Sequence, residues 1–121
     1  MTKGICVIAL LILAISCKKG SQDVLSGGAT CDTAGMKYMT DVVPILQANC
    51  YTCHGNGNTA GSGGILLEGY VNLKPYATNG QLVGNISWAP GFVDMPYGGS
   101  KLPSCEINTI ADWVNNGALN N

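Results

Sequence analysis

Apolar residues follow two patterns along this chain, and the first is a continuous run near its start. Lys3 is followed by eleven apolar residues at positions 5–15, and the run ends at Ser16. A helix needs about 20 apolar residues to cross a bilayer, so this segment is too short for a membrane anchor. Its positive start and short apolar centre predict a signal peptide over residues 1–16.

The second pattern is helical spacing, which begins after a polar stretch with several glycines that extends to residue 30. Such a stretch is typical of a tether, so the folded domain is placed at residues 31–121. The first helix is predicted to start at Asp41, a good capping residue, with Pro44 tolerated in its first turn. Its apolar side is predicted to consist of Val43, Ile45, Leu46 and Cys50.

Two short helices and a longer one follow, separated by glycine-rich loops. Residues 55–64 predict a loop, residues 69–74 a helix that stops near Pro75, and residues 82–86 a helical turn. The last helix is predicted to start at an N-cap, Ser104, and to end at Gly117. Its apolar face is predicted to consist of Ile107, Ile110, Ala111 and Val114, with Trp113 beside it as a core residue or a cofactor contact. No segment alternates as a strand would, so the sequence predicts an all-α fold.

Charge and size narrow the classes of function. From position 17 onward the chain has five lysines, no arginine and seven acidic residues. Binding to nucleic acid depends on clustered lysine and arginine, and the sequence has no such cluster. A domain of fewer than about 100 residues buries a small fraction of its surface, so a large apolar cofactor would add to its core.

The segment Cys50-Tyr51-Thr52-Cys53-His54 carries the clearest chemical information in the sequence. C-x-x-C-H is the pattern that attaches a c-type haem. Cys50 and Cys53 would form thioether bonds to the haem vinyl groups, and the imidazole of His54 would bind the iron as an axial ligand. The motif therefore predicts one covalently attached haem c and a role in redox chemistry.

Two other uses of a C-x-x-C pair have to be weighed. A structural zinc site needs four ligands, and with one histidine in the chain the second pair would have to be Cys31 and Cys105. A thioredoxin-like redox pair follows a strand, whereas the residues before Cys50 are predicted to be helical. Haem attachment fits the motif and its setting better than either alternative.

The other cysteines can be assigned from the compartment that a signal peptide implies. Cys6 lies in the segment that is removed on export. Outside the cytoplasm, Cys31 and Cys105 are expected to form a disulfide, with two free thiols as the alternative. The bond would close a loop of 74 residues. It would stabilise the fold by at most about 4 to 5 kcal/mol.

The junction at Cys17 resembles the lipobox of bacterial lipoproteins. Leu13 and Ala14 lie upstream of a small residue, Ser16, and a polar, charged stretch follows the cysteine. The resemblance implies that Cys17 becomes the lipidated first residue of the mature chain, with residues 17–30 as its tether. The alternative is an ordinary secretory signal peptide that is cleaved nearby.

Most of the chain from residue 31 onward resembles a single-haem class I cytochrome c domain. Besides C-x-x-C-H, the resemblance rests on Tyr-Met-Thr-Asp-Val-Val-Pro-Ile-Leu at 38–46, Met-Pro-Tyr-Gly-Gly-Ser-Lys-Leu at 95–102 and the helix that ends Ala-Asp-Trp-Val-Asn-Asn-Gly-Ala at 111–118. In that family a small helical domain surrounds one covalent haem, its first and last helices cross, and a methionine from a late loop completes the iron coordination. The resemblance implies that Met95 is the distal ligand and His54 the proximal one.

The residue inventory agrees with this ligand pair. His54 is the only histidine, and Met95 is the only methionine after Cys53. The alternatives are a five-coordinate iron, with Met95 as an ordinary surface or core residue, and Lys101 as a weaker candidate ligand. Because a thioether is a soft, neutral ligand that favours ferrous iron, the His/Met pair would raise the reduction potential.

These observations predict a c-type cytochrome that is tethered to a bacterial envelope membrane and faces the periplasm. It would pass single electrons between redox-protein donors and acceptors, and it is not expected to be an enzyme. Two alternatives stay open. One is a haem enzyme or gas sensor with an open iron site, and the other is a lipoprotein interaction module with a redox or metal C-x-x-C pair and no haem.

Overall fold

Five α-helices around one apolar core form the described part of the molecule. A computed structural model of the protein describes residues 31–121. The helices are α1 (Val43–Asn49), α2 (Tyr51–His54), α3 (Tyr70–Thr78), α4 (Gln81–Ile86) and α5 (Ser104–Asn115). A π-helical turn, Tyr38–Val42, precedes α1, and a 3-10 turn, Ala60–Ser62, lies between α2 and α3. Residues 31–121 contain no strand, so the predicted all-α fold class is confirmed.

Three predictions concern the N-terminal part of the chain, which lies outside the described residues. They are the signal peptide at residues 1–16, the tether at residues 17–30 and the lipidation of Cys17. Among the helices of residues 31–121, none is long and apolar enough to cross a membrane.

The π-helical turn and α1 together form the first helical segment, residues 38–49. It begins earlier than the sequence predicts, and Asp41 is not its N-cap. Asp41 lies inside the π-helical turn, and its carboxylate accepts a hydrogen bond from the backbone N–H of Lys37 at 2.7 Å. The prediction that Asp41 starts the helix is therefore wrong, although its side chain still satisfies a donor at the helix start. Pro44 lies in the first turn of α1, where no N–H donor is needed.

One side of this segment supplies the centre of the core. Tyr38, Val42 and Leu46 are spaced four residues apart and are all buried. The ring of Tyr38 lies with its centroid 5.6 Å from that of Trp113 and 5.4 Å from that of Tyr70. These aromatic contacts join the first helical segment to α5 and α3. The other predicted apolar positions, Val43, Ile45 and Cys50, are partly buried against the core.

Helix α3 does not stop at Pro75, as the sequence predicts, but continues to Thr78. Leu73 and Ala77, one turn apart, are both buried, so the longer helix gains apolar contact with the core. The hydroxyl of Thr78 donates to the carbonyl of Lys74 at 3.0 Å and supports the last turn. Burial of Ala77 and this bond offset the backbone hydrogen bond that a proline removes.

Helix α5 begins at Ser104, but the N-cap is Pro103 rather than Ser104. The backbone N–H of Ile107 donates to the carbonyl of Pro103 at 3.1 Å, which makes Ser104 the first helical residue. The prediction of Ser104 as the cap is wrong for this reason. The end is close to the prediction: Gly117 has a φ of 96°, a conformation that favours glycine, and it turns the chain after Asn115.

The buried side of α5 is centred on Thr109, Ile110 and Trp113. Ile107 and Val114 are only partly buried against the core. The indole N–H of Trp113 donates to the carbonyl of Leu119 at 2.8 Å. Trp113 is thus a core residue, and it is absent from the lining of the large cavity described below.

A disulfide joins Cys31 to Cys105, the pair that the sequence predicts. Their Sγ atoms are 2.00 Å apart and their Cα atoms 5.7 Å apart. Because these two cysteines are bonded to each other, they do not supply the second ligand pair that a zinc site would need. The bond connects the start of the described domain to the first turn of α5.

We expect removal of this disulfide to destabilise the domain without changing its fold. Replacing Cys31 and Cys105 by serine should lower the free energy of unfolding by about 2–5 kcal/mol, since the unfolded chain regains the freedom of a long loop. Denaturant unfolding of the double variant measures the loss. Reduced wild-type protein is the control and should match it. Equal stability of the oxidised protein and the double variant would contradict the prediction.

Candidate functional site

The C-x-x-C-H segment forms a single helical turn at the end of α1. The backbone N–H groups of Cys53 and His54 both donate to the carbonyl of Cys50, at 3.1 and 2.8 Å. Residues three and four positions apart share one side of a helix, so Cys50, Cys53 and His54 face the same way. The motif therefore presents two thiols and one imidazole to a common space.

The imidazole of His54 is held in one orientation by the loop that follows. Its Nδ1 lies 3.0 Å from the carbonyl oxygen of Ile65, and the backbone N–H of Leu67 donates to the carbonyl of His54 at 2.9 Å. A carbonyl can only accept, so Nδ1 carries the proton of this hydrogen bond. The lone pair of the neutral ring is then on Nε2. A histidine that binds a metal typically donates its other N–H in this way.

A cavity of about 650 Å³ lies beside this turn and brings the predicted site residues together. Cys50, Cys53 and His54 line one part of it, and Met95 lines another. Cavities of about 300–1,000 Å³ with apolar walls are typical of cofactor sites. The apolar and aromatic walls are provided by Ile65, Leu67, Tyr76, Leu82, Ile86, Phe92, Val93, Pro96, Tyr97 and Leu102.

Met95 belongs to a long segment without regular secondary structure between α4 and α5, and hydrogen bonds hold its position through Asn85 in α4 and Trp88 just after this helix. The backbone N–H of Met95 donates to the carbonyl of Asn85 at 3.1 Å. The backbone N–H of Val93 donates to Oδ1 of Asn85 at 3.2 Å, and the indole N–H of Trp88 donates to the carbonyl of Met95 at 2.8 Å. The position of Met95 is therefore specified through Asn85 and Trp88.

Sequence reasoning missed Gly84, Asn85 and Phe92 as parts of this site. Gly84 is buried in the middle of α4, and a Cβ at this position would collide with the ring of Phe92. A glycine inside a helical pattern is a signal of close approach, although the sequence does not say which residue comes near. The close contact allows Phe92 to form part of the cavity wall.

The thiol of Cys50 is partly shielded from solvent. Burial and, to a smaller extent, the nearby carboxylate of Glu106 raise its pKa to about 11. Burial, followed by the neighbouring Tyr38 phenol, likewise raises the pKa of Tyr51 to about 12. At neutral pH Cys50 is therefore a protonated thiol. Reactive or metal-binding cysteines usually have a lowered pKa, which favours the thiolate.

The weaker candidate ligand lies outside the cavity. Lys101 is exposed and is not among the lining residues. No group of three or more His, Cys, Asp or Glu side chains suited to a metal ion occurs within residues 31–121.

Comparison with known proteins adds no relative to this description. The chain matches no protein-family model, no curated protein and no solved structure. The site is therefore interpreted from its own residues.

We expect a substitution of Gly84 to test the close contact that shapes the cavity wall. Gly84→Ala should destabilise the protein by about 1–3 kcal/mol, because the new methyl group displaces the Phe92 ring. In a Phe92→Ala background the same change should become stabilising by up to about 1 kcal/mol, since alanine is the better helix former. Thermal or denaturant unfolding of the four proteins gives both values.

Gly61→Ala is the matched control for this cycle. Gly61 lines the cavity, but a Cβ there would have nothing within 4 Å. The change in unfolding free energy caused by Gly61→Ala should therefore be the same in the wild-type and Phe92→Ala backgrounds. An unchanged cost of Gly84→Ala in both backgrounds would show that Phe92 does not occupy this position.

Proposed function

We propose that this chain is a class I c-type cytochrome domain that carries single electrons through one haem with His54 and Met95 as axial ligands. The observation that supports the proposal is the shared cavity. It gathers the C-x-x-C-H turn and the only methionine that follows this turn, although the two come from separate segments of the fold.

The residues around the cavity fit a covalently bound haem. Cys50 and Cys53 have free thiols on the side of the turn that faces the cavity, as attachment to two vinyl groups requires. The walls are mostly apolar, which suits a large apolar ring in a small domain. When bound, the haem supplies reversible one-electron exchange at its iron.

His54 and Met95 have distinct roles in this proposal. The lone pair on Nε2 of His54 is available as a ligand because Nδ1 is committed to the carbonyl of Ile65. Met95 offers a soft, neutral thioether sulfur, which favours the reduced state and raises the reduction potential. Apolar side chains such as Leu67 and Leu82 line the cavity, so charge would be less well solvated there than in water.

The alternatives are less well supported. An enzyme or gas sensor needs a vacant iron position, whereas Met95 lies in the cavity wall. A redox or metal site without haem needs a thiolate, whereas burial raises the pKa of Cys50 to about 11. A zinc site also lacks its second cysteine pair, since Cys31 and Cys105 are bonded to each other.

The proposed location is the periplasmic side of a bacterial envelope membrane. The disulfide supports an oxidising compartment. The signal peptide and lipobox resemblance at Cys17 support a lipid anchor, with residues 17–30 as the tether. The proposed partners are redox proteins that donate and accept electrons, and neither nucleic acid nor a small-molecule substrate is part of the proposal.

We expect Met95→Ala to separate ligation from attachment. The variant should keep its covalent haem, because Cys50 and Cys53 form those bonds, but it should lose the absorption band of ferric iron with a thioether ligand. Its reduction potential should fall substantially within the ~0.8 V range over which axial ligands act. The reduced form should also bind carbon monoxide. Absorption spectroscopy and redox titration measure these effects.

Met39→Ala is the control, because the Met39 side chain is 60 % exposed and does not line the cavity. It should leave spectrum and potential unchanged. His54→Ala should be more damaging than Met95→Ala and should impair haem attachment. An unchanged spectrum in Met95→Ala would assign the sixth position to another group, with Lys101 as the next residue to test. A colourless wild-type protein would contradict the proposed function.

We expect Cys17 to be the anchor. The intact mass of the membrane-extracted protein should show a lipid adduct on a chain that starts at Cys17, because a small residue precedes it and a polar stretch follows. Cys17→Ser should release a haem-containing protein into the soluble fraction. Cys6→Ser is the control, since Cys6 belongs to the removed segment. A soluble mature wild-type protein with an unmodified amino terminus would disprove the lipid anchor.

A further inference from the structure

We propose that Asn85 and Trp88 are positioning residues that hold Met95 in the cavity and so determine how readily the sixth iron position opens. This inference rests on the proposed function and extends it to two residues that do not themselves bind the iron.

Hydrophobic burial is incomplete in the part of this segment just before Met95. Phe92 is 42 % exposed and Val93 is 53 % exposed, so the residues just before Met95 are only partly removed from water. Between α4 and α5 there is no regular secondary structure to supply a ladder of backbone bonds. A segment of this kind opens easily unless specific hydrogen bonds retain it.

The hydrogen bonds that retain Met95 converge on two residues, Asn85 in the last turn of α4 and Trp88 just after this helix. Asn85 accepts from the backbone N–H of Met95 with its carbonyl and from that of Val93 with its side chain. Trp88 donates its indole N–H to the carbonyl of Met95. Both backbone groups of Met95 are therefore bonded, one to each positioning residue.

The backbone of Trp88 supports a specific role for this side chain. Trp88 has a φ of 55°, a left-handed conformation that bulky residues rarely adopt. Such a conformation persists where the surroundings determine it strongly. At Trp88 the bonds that do so are its backbone N–H to the carbonyl of Asn85, at 3.2 Å, and its indole N–H to Met95.

Trp113 provides a matched control within the same molecule. Its indole N–H also donates to a backbone carbonyl at 2.8 Å, that of Leu119, but it lies in the core and does not line the cavity. Replacing either tryptophan by phenylalanine removes one hydrogen bond of the same kind. Only Trp88→Phe removes a bond to Met95.

The experiment measures the affinity of imidazole for the ferric haem protein. To bind, imidazole has to replace Met95 at the sixth iron position. The apparent affinity rises in proportion to the fraction of molecules with an open position. Trp88→Phe should raise it about tenfold, the change that corresponds to loss of one hydrogen bond of about 1.4 kcal/mol. Asn85→Ala removes the side-chain acceptor for the backbone N–H of Val93 and should also raise the imidazole affinity. Asn85→Asp keeps this acceptor, so its imidazole affinity should stay near that of wild type.

Trp113→Phe loses the bond to Leu119 but keeps an aromatic ring to pack against Tyr38. It should leave the imidazole affinity within about twofold of wild type, even where it lowers thermal stability, and Met95→Ala sets the upper limit of affinity. If Trp88→Phe does not fold, Asn85→Ala and Asn85→Asp decide the question. If imidazole binds Trp88→Phe and Asn85→Ala no more tightly than Trp113→Phe, the positioning role is overturned. The proposed function is not affected by that result. A wild-type protein without a thioether-ligated haem would overturn both.

Discussion

The packing of Tyr38 against Trp113 joins the first helical segment to α5, and the position of the candidate site depends on this contact. Tyr38, Val42 and Leu46 form a buried stripe with a spacing of four residues, and Cys50 is the next position of the same stripe. The side of the segment that faces the core therefore leads into the cavity. Asn49 adds a second connection to α5, since its amide donates to the carboxylate of Glu106 at 3.1 Å.

The two sides of the cavity are held by different means. His54 is fixed by backbone groups of Ile65 and Leu67, which lie close in sequence, so few side-chain substitutions would disturb it directly. Met95 lies far from Cys50 in the chain and is held partly through the side chains of Asn85 and Trp88. The histidine side is thus robust to mutation, and the methionine side is the more adjustable one.

Sequence reasoning identified the features that depend on contiguous residues or on the number of cysteines left after the others are assigned. The C-x-x-C-H turn is local, and the pairing of Cys31 with Cys105 followed from assigning the other cysteines. Helix ends were less predictable. Helix α3 continues past Pro75 because Ala77 is buried in the core. Helix α5 has Pro103 as its N-cap because the backbone N–H of Ile107 donates to the carbonyl of Pro103. Hydrogen bonds between Met95 and α4 have no sequence pattern, since they arise only when the segment folds back.

The disulfide also has a mechanical consequence for the domain. Every cavity-lining residue lies between positions 49 and 102, within the loop that Cys31 and Cys105 close. Tension applied at residue 31 passes directly through the sulfur atoms into the first turn of α5. The force then reaches residues beyond Cys105 without stretching the chain between residues 31 and 105. A load on this end of the domain therefore bypasses both the cysteine-histidine turn and the segment that carries Met95.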